Sequence, residues 1–328
     1  MKLGCSSLSW QTQDGKHILG RTCDMFLLPN SGPTFMPRGQ EFVVNDRGDC
    51  ITTKYAYAGF SMSVTNTPIF VDGINEHGLM GCLLYYPRFA HYGDYADGKL
   101  NLNPIYFMTY MLGNFTDIND LLNNIGNINL INEKVAGGDA PVHFIISDRS
   151  GETIILEPDQ TGLTIHRNTI GVMTNSPNYD WHVQNLRNYI GMQTMARSAQ
   201  QLGDLTLQPF GEGTGLIGLP GDYTPPSRFV RIAYIKHLLD KPADEMTALS
   251  MMHNVLASVT IPMGLHKNAE GGVEGTLYTS VMCSESLTYY ISTKDNHRIS
   301  AIKLDNIKDN SEIKHFAMPD NEDINLLS

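Results

Sequence analysis

Apolar and polar positions alternate through the first half of the chain and again near its end. Residues 3–11 alternate, Asp14-Gly15 supplies a turn, and residues 17–24 alternate back, which predicts a β-hairpin. A second pair, residues 68–72 and 79–86, flanks the turn Asn75-Glu76-His77-Gly78. A third, 142–147 and 152–157, flanks Asp148-Arg149-Ser150-Gly151. Strands are also predicted at 162–167 and 170–174, and a meander at 277–283, 287–293 and 298–304. Between them the period lengthens to that of helices. These are residues 103–112, residues 117–125 behind Thr116 as N-cap, 179–189, 226–239 with Pro in its first turn, and 243–259, the longest. Residues 195–223 are rich in Gly, Gln and Pro without clear period, and read as an extended excursion that packs on a neighbouring subunit. No linker or internal repeat interrupts this order, so the pattern predicts one α+β domain of layered sheets and helices.

The hairpin pattern places Cys5 near the start of one strand and Arg21 and Asp24 near the end of its partner. In an antiparallel pair those ends are adjacent, so a cation and a carboxylate approach the thiol. Four residues, Met1-Lys2-Leu3-Gly4, precede Cys5. If they are removed as a pro-segment, leaving 5–328 as the mature domain, one residue carries a thiol and a free α-amine. An amine of pKa near ~7.7–8.0 takes a thiol's proton near neutrality, and the thiolate is the nucleophile. Gly4 puts no side chain beside an attacking sulfur. Equally, Cys5 reads as a small apolar residue opening a buried strand.

Composition removes several classes of function. The 328 residues are 41% apolar and 17% charged, which suits a compact protein with a sizeable core. A net charge of −11 argues against nucleic acid and anionic membranes as partners, and leaves a small anionic substrate open. Five widely spaced cysteines form neither a disulfide framework nor a zinc pattern, so a reducing cytoplasm is expected. Residues 1–4 are too short for a signal peptide, no run is long enough to span a membrane, and Asn114-Phe115-Thr116 is a sequon without a secretion signal. Gly213-x-Gly215-x-x-Gly218 lacks the preceding strand and following helix of a dinucleotide site. Neither G-x-S-x-G nor H-E-x-x-H occurs, the eleven His have no metal spacing, and His143 reads as structural. No cofactor or metal is expected.

Six stretches together resemble one family. They are Cys5-Ser6-Ser7-Leu8-Ser9, Gly20-Arg21-Thr22-Cys23-Asp24, Asp72-Gly73-Ile74-Asn75-Glu76-x-Gly78-Leu79, Gly171-Val172-Met173-Thr174-Asn175-Ser176-Pro177, the run from Gly218 to Phe229, and Tyr278-Thr279-Ser280-Val281-Met282-Cys283. In order and spacing they resemble the choloylglycine hydrolases, the group of penicillin V acylases and bile salt hydrolases, over nearly the whole chain. The resemblance implies an N-terminal-nucleophile hydrolase fold, four layers αββα with two stacked antiparallel sheets between helix layers. It also implies a homotetramer and hydrolysis of a non-peptide C–N bond in a small linear amide.

It further implies roles. Cys5 supplies thiolate and amine, Arg21 and Arg228 flank it, and Asp24 orients it. Asn175 and Tyr85 hold the oxyanion of the tetrahedral intermediate. Each has an ordinary alternative: Arg21 and Asp24 as a surface ion pair, Asn175 as a helix cap, Arg228 as an exposed residue in a helix's first turn, Tyr85 as a core residue. Cys23 stands where relatives often carry Met, and little consequence is expected. The sequence around Tyr85-Tyr86 and the run from Gly218 to Phe229 resemble the acylase branch more, and bile salt hydrolases tend to carry Asn where Tyr85 stands. The expected substrate is therefore a penicillin V-type amide, with conjugated bile salts or N-acyl homoserine lactones as alternatives. An uncleaved chain that only binds acylated ligands is the non-enzymatic reading.

Overall fold

The structure, a computed structural model, describes residues 4–25, 31–62, 68–134, 137–267 and 271–327. Residues 1–3 of the expected pro-segment lie outside them. The first predicted hairpin forms as β1 (Gly4–Gln11) and β2 (His17–Met25), with Gly4 opposite Asp24, Cys5 opposite Cys23 and Ser7 opposite Arg21. All of β2 and most of β1 are buried. Their alternation therefore separates two buried faces rather than core from water. Successive strand residues point to opposite sides. Cys5, Ser7, Ser9, Arg21 and Cys23 face a second sheet, where the Ser9 hydroxyl meets Thr153 at 2.8 Å. Ser6 faces a helix layer, where Arg228 reaches its hydroxyl at 2.6 Å.

Two antiparallel sheets carry the domain. The first runs Val172–Met173, β1, β2, Val273–Cys283, Thr288–Thr293, Ser300–Lys303, with His266–Lys267 added to Val273–Cys283. The second runs Gly162–His166, Thr153–Asp159, Val142–Ser147, Met80–Tyr85, Asp72–Asn75, Tyr57–Met62, Gly32–Met36, Lys314–His315, with Ile69–Phe70 beside Tyr57–Met62. Helices α1 (Phe107–Asn114) and α2 (Ile118–Asn124) belong to the second half of the sandwich, α1 lying on Asp72–Asn75 and Met80–Tyr85. Helix α3 (Tyr179–Asn185) packs on α4 (Pro225–Leu238), and α4 and α5 (Glu245–Ala257) cover the first sheet. This is the expected αββα layering.

Local details depart from the sequence reading. The cap of α2 is Asp117, whose carboxylate accepts from the Asp120 amide at 2.8 Å, rather than Thr116. A carboxylate is the stronger acceptor for an amide at a helix N-terminus. Helix α4, with 14 residues, is longer than α5, with 13. The excursion at 195–223 holds a small hairpin, Gln200–Leu202 with Leu205–Leu207, turned by Gly203 at φ 61°. The strands between residues 32 and 62 were not foreseen: Gly32–Met36 and Tyr57–Met62 are buried on both faces and show no alternation, and Glu41–Val43 and Cys50–Thr52 are too short to set a period.

The closest backbone approach in the second sheet lies behind the site. A Cβ on Gly59 would stand 2.0 Å from the Asp72 carbonyl and 2.6 Å from the Gly73 Cα. Gly59→Ala is therefore expected to push the Asp72 strand away and to destabilise the fold by about 3 kcal/mol, the upper range for overpacking. Urea denaturation measures it, and an unchanged midpoint contradicts this packing.

Candidate active site

Cys5 is fully buried, and the two arginines reach it from opposite faces of β1. From the sheet side, Arg21 Nη2 donates to Cys5 Sγ at 2.6 Å. Its Nη1 donates to the Val71 and Leu83 carbonyls, both at 2.9 Å, and its Nε lies 3.7 Å from Asp72 Oδ2. From the helix side, Arg228 Nη1 donates to the Cys5 carbonyl at 2.5 Å and the Ser6 hydroxyl, and Nη2 donates to Asn175 Oδ1 at 2.7 Å. The first turn of α4 thus presents a buried cation rather than an exposed one.

Burial disfavours the Cys5 thiolate. The Cys23 thiol opposite it, then the Arg21 charge, outweigh that burial and hold the Cys5 pKa below its ordinary value. Cys23 moves the other way: burial and its bond to Cys5 raise it well above the usual range. Of the two sulfurs, Cys5 is therefore the one whose thiolate is favoured. The Cys23 thiol lies 3.7 Å from Met25 Sδ, and a thiol beside Cys5 favours its thiolate where a thioether would not.

Asp24 is buried on the other face of β2, beside Gly4. One carboxylate oxygen accepts from the Thr276 hydroxyl at 2.5 Å. The other, Oδ2, has no hydrogen-bond donor among the described residues. Burial raises the Asp24 pKa, with the Arg228 charge opposing. The Cys5 nitrogen donates to Asn175 Oδ1 at 3.0 Å, and Asn175 Nδ2 donates to the Tyr85 carbonyl at 2.7 Å. The structure thus brings Cys5, Arg21, Asp24, Asn175, Arg228 and Tyr85 into one cluster, with Tyr85 touching Asn175 through its carbonyl.

A cleft of about 1440 Å³ opens over this cluster. Gly4, Asp24, Tyr85, Asn175 and Arg228 form its floor side, and Phe89, Pro141, Tyr223, Ile261 and Leu265 give it an apolar wall. A Cβ on Gly4 would meet Asp24 Oδ2 at 3.0 Å, so the carboxylate, more than the sulfur, is what Gly4 leaves room for. Among the described residues no group of His, Cys, Asp and Glu is arranged to hold a metal ion.

Sequence reasoning missed three supports. Asp72, inside a quoted motif but given no role, is the carboxylate that answers Arg21. It also accepts from Tyr278 at 2.7 Å, Tyr289 at 2.8 Å and the Phe60 amide at 3.1 Å. The other two are imidazoles. His143 Nε2 donates to the Thr174 carbonyl at 2.9 Å, and His182 Nε2 to the Asn175 carbonyl at 2.8 Å. Glu157 sits 3.3 Å from His143 Nδ1 and accepts from the Tyr179 amide at the start of α3. The peptide groups on both sides of the Asn175 α-carbon are therefore fixed by buried rings. His143 is structural as expected, yet what it holds is the site.

Known proteins resemble the chain over its whole length. The profile of linear amide C–N hydrolases, choloylglycine hydrolase family, matches residues 5–316. A bile salt hydrolase/transferase from Clostridium perfringens is 36% identical over 95% of this chain and 96% of its own. A solved mutant of the conjugated bile acid hydrolase from Clostridium perfringens superposes with TM-score 0.92 at 34% identity, covering 99% of this chain and all of that one. Penicillin V acylase from Agrobacterium tumefaciens shares the fold at TM-score 0.74 and 21% identity, over 94% of this chain and 90% of its own.

The supports of Asn175 give the fold an acid limit. Burial lowers the His182 pKa from 6.5 to about 4. Burial opposes ionisation of Glu157, but hydrogen bonds from His143 and His166 prevail and lower it from 4.5 to about 2. Both groups hold protons less tightly folded than unfolded, so unfolding takes up protons and stability falls with pH. His182 contributes between 6.5 and about 4, and Glu157 between 4.5 and about 2. Shifts of this size correspond to roughly 3 kcal/mol each. Denaturation from pH 7 to 3 is expected to show both losses, and Glu157→Gln only the upper one. A variant with the wild-type profile contradicts the assignment.

Proposed function

This chain belongs to the choloylglycine hydrolase family of linear amide C–N hydrolases, and from that premise we propose that it deconjugates bile salts with Cys5 as its nucleophile. The observation that carries the substrate is the likeness to enzymes named for bile salts. It favours bile salts over the penicillin V preference drawn from the sequence, which rested on Tyr85-Tyr86 and the run from Gly218 to Phe229. The cleft supports this choice, since its wall extends past Tyr85 through Phe89, Pro141, Ile261 and Leu265 and offers a broad apolar body more than one ring's length of contact. Penicillin V-type amides are the second reading, favoured by the Tyr85 ring in the cleft.

Maturation comes first. Cys5 Sγ attacks the Gly4 carbonyl, the Gly4–Cys5 C–N bond breaks with a proton passing to the Cys5 nitrogen, and water hydrolyses the thioester to release residues 1–4. The new α-ammonium would stay by Asn175 Oδ1 and, with Gly4 gone from opposite Asp24, could turn to Asp24 Oδ2, the buried oxygen without a donor. In turnover the thiolate adds to the substrate carbonyl, and the side-chain amide of Asn175 with the Tyr85 backbone N–H receives the oxyanion. The α-ammonium gives its proton to the leaving nitrogen, and the C–N bond breaks. The neutral amine then takes a proton from water, which attacks the thioester and restores the thiolate.

The proposal includes assembly and setting. The excursion carries exposed Met195, Leu202, Leu205, Phe210 and Ile217 away from the core, an apolar surface suited to a homotetramer contact. Five free cysteines fit a cytoplasmic setting, and among the described residues no helix is long and apolar enough to cross a membrane.

Two measurements test this. Intact mass should show wild-type protein without its first four residues, and Cys5→Ala uncut and inactive. An active Cys5→Ala enzyme overturns the mechanism, and an uncut, inactive wild type supports the ligand binder. Glycocholate should exceed phenoxymethylpenicillin in kcat/KM by at least about tenfold. The reverse order overturns the substrate.

A further inference from the structure

At the far end of β1 from Cys5, a second cavity of about 620 Å³ opens between Ser9, Trp10 and Gln11 and the C-terminal half of α4. Four residues of extended strand, about 13 Å, separate Ser9 from Cys5, and no residue lining this cavity lines the catalytic cleft. Its volume lies within the range of small-molecule sites.

Two features of the lining are unusual for this chain. The protein carries 34 acidic residues against 23 basic ones, yet the cavity is lined by Lys236, Lys241, His237 and His17 and by no Asp or Glu. His17 is answered from outside by Glu285 at 2.8 Å, and Lys241 donates to Gln11 Oε1 at 3.2 Å. Lys236 has no such answer. Its ammonium donates to the Ile170 carbonyl at 2.6 Å, and among the described residues no carboxylate pairs with it. It is held tightly, since a Cβ on Gly171 would come within 2.8 Å of Nζ. Partial burial without a counter-charge pulls its pKa down to about 8. The other walls are mixed: Trp10, Leu186, Ala233 and Leu239 give an apolar stretch, and Ser9, Ser147, Thr153 and Thr169 give hydroxyls.

We propose that this cavity is a second ligand site, for an amphipathic carboxylate whose head pairs with Lys236 and whose apolar body lies along Trp10, Leu186 and Ala233. A carboxylate supplies the missing counter-charge, and an apolar body covers the stretch formed by Trp10, Leu186 and Ala233. The site stands apart from Cys5 and does not depend on the reaction proposed there.

Decanoate is a suitable probe, titrated calorimetrically into the full protein in its native assembly. Decanoate should bind wild type at this site, and Lys236→Met should weaken that binding at least about tenfold, as expected when one side of a partly buried charge pair is removed. Lys236→Arg should retain it. Ala233→Trp, which fills the cavity while keeping the lysine, should abolish it, so the proposal stays testable if Lys236→Met fails to fold. Decanol should bind much more weakly than decanoate. Equal decanoate binding by wild type, Lys236→Met and Ala233→Trp overturns the site, as does equal binding of decanol. A crystal structure with a second copy's 195–223 segment seated in the cavity overturns it as well.

Discussion

Arg21 carries a full charge with none of its surface in water, and the arrangement of the site follows from how that charge is held. A buried guanidinium is tolerable only when its donors and its charge are answered. Asp72 answers the charge from the opposite sheet, two backbone carbonyls take Nη1, and Nη2 is left for the sulfur of Cys5. Asp72 is itself tied by two tyrosine hydroxyls and an amide, so it cannot turn away. The Cys5 sulfur is thus one of the groups that answer Arg21, and the Arg21 charge in turn favours the Cys5 thiolate.

The β1–β2 register converts this pairing into a site. With Cys5 opposite Cys23, residues of one parity face the second sheet and residues of the other face the helix layer. Arg21 therefore meets the sulfur from the sheet side, while Arg228 meets the main chain and Asn175 from the helix side. A slip of one residue would send the sulfur toward α4 and Ser6 toward Arg21. Asn175 arrives on its own rail: the Val172–Met173 strand pairs with β1, and His143 and His182 hold the peptide groups that follow.

Much of this was legible in the sequence because it is local. The Asp14-Gly15 turn fixes the hairpin, the hairpin fixes the register, and the register puts Arg21 and Asp24 near Cys5. The partner of Arg21 was not legible, since Asp72 lies on another sheet and only the stacking of the two brings it within 3.7 Å. The same holds for Glu157, His143 and His182, which read as scattered polar residues until α3 and two strands converge on Asn175. Serines alternating with apolar residues in β1 looked half-exposed, yet both faces are covered, which no single-strand pattern reveals. The choice between acylase and bile salt substrates was poorly legible for a related reason. Tyr85-Tyr86 and the run from Gly218 to Phe229 were asked to stand for a wall assembled from four distant segments.

The uncut chain also carries a reason for its own cleavage. Asp24 Oδ2 is buried without a donor, and such an oxygen costs about 1–3 kcal/mol. Burial correspondingly raises the Asp24 pKa. While Cys5 is acylated by Gly4, its nitrogen has one hydrogen, and Asn175 Oδ1 takes it. Cutting the Gly4–Cys5 bond turns that nitrogen into an ammonium with three hydrogens and a charge, next to the carboxylate that lacks both. Under the proposed maturation, the cut product would thereby be favoured over the precursor by an interaction the precursor cannot make. The proton then held between amine and Asp24 would be the one the proposed reaction needs, so the contact that would draw maturation forward would also ready the mature residue for its first substrate.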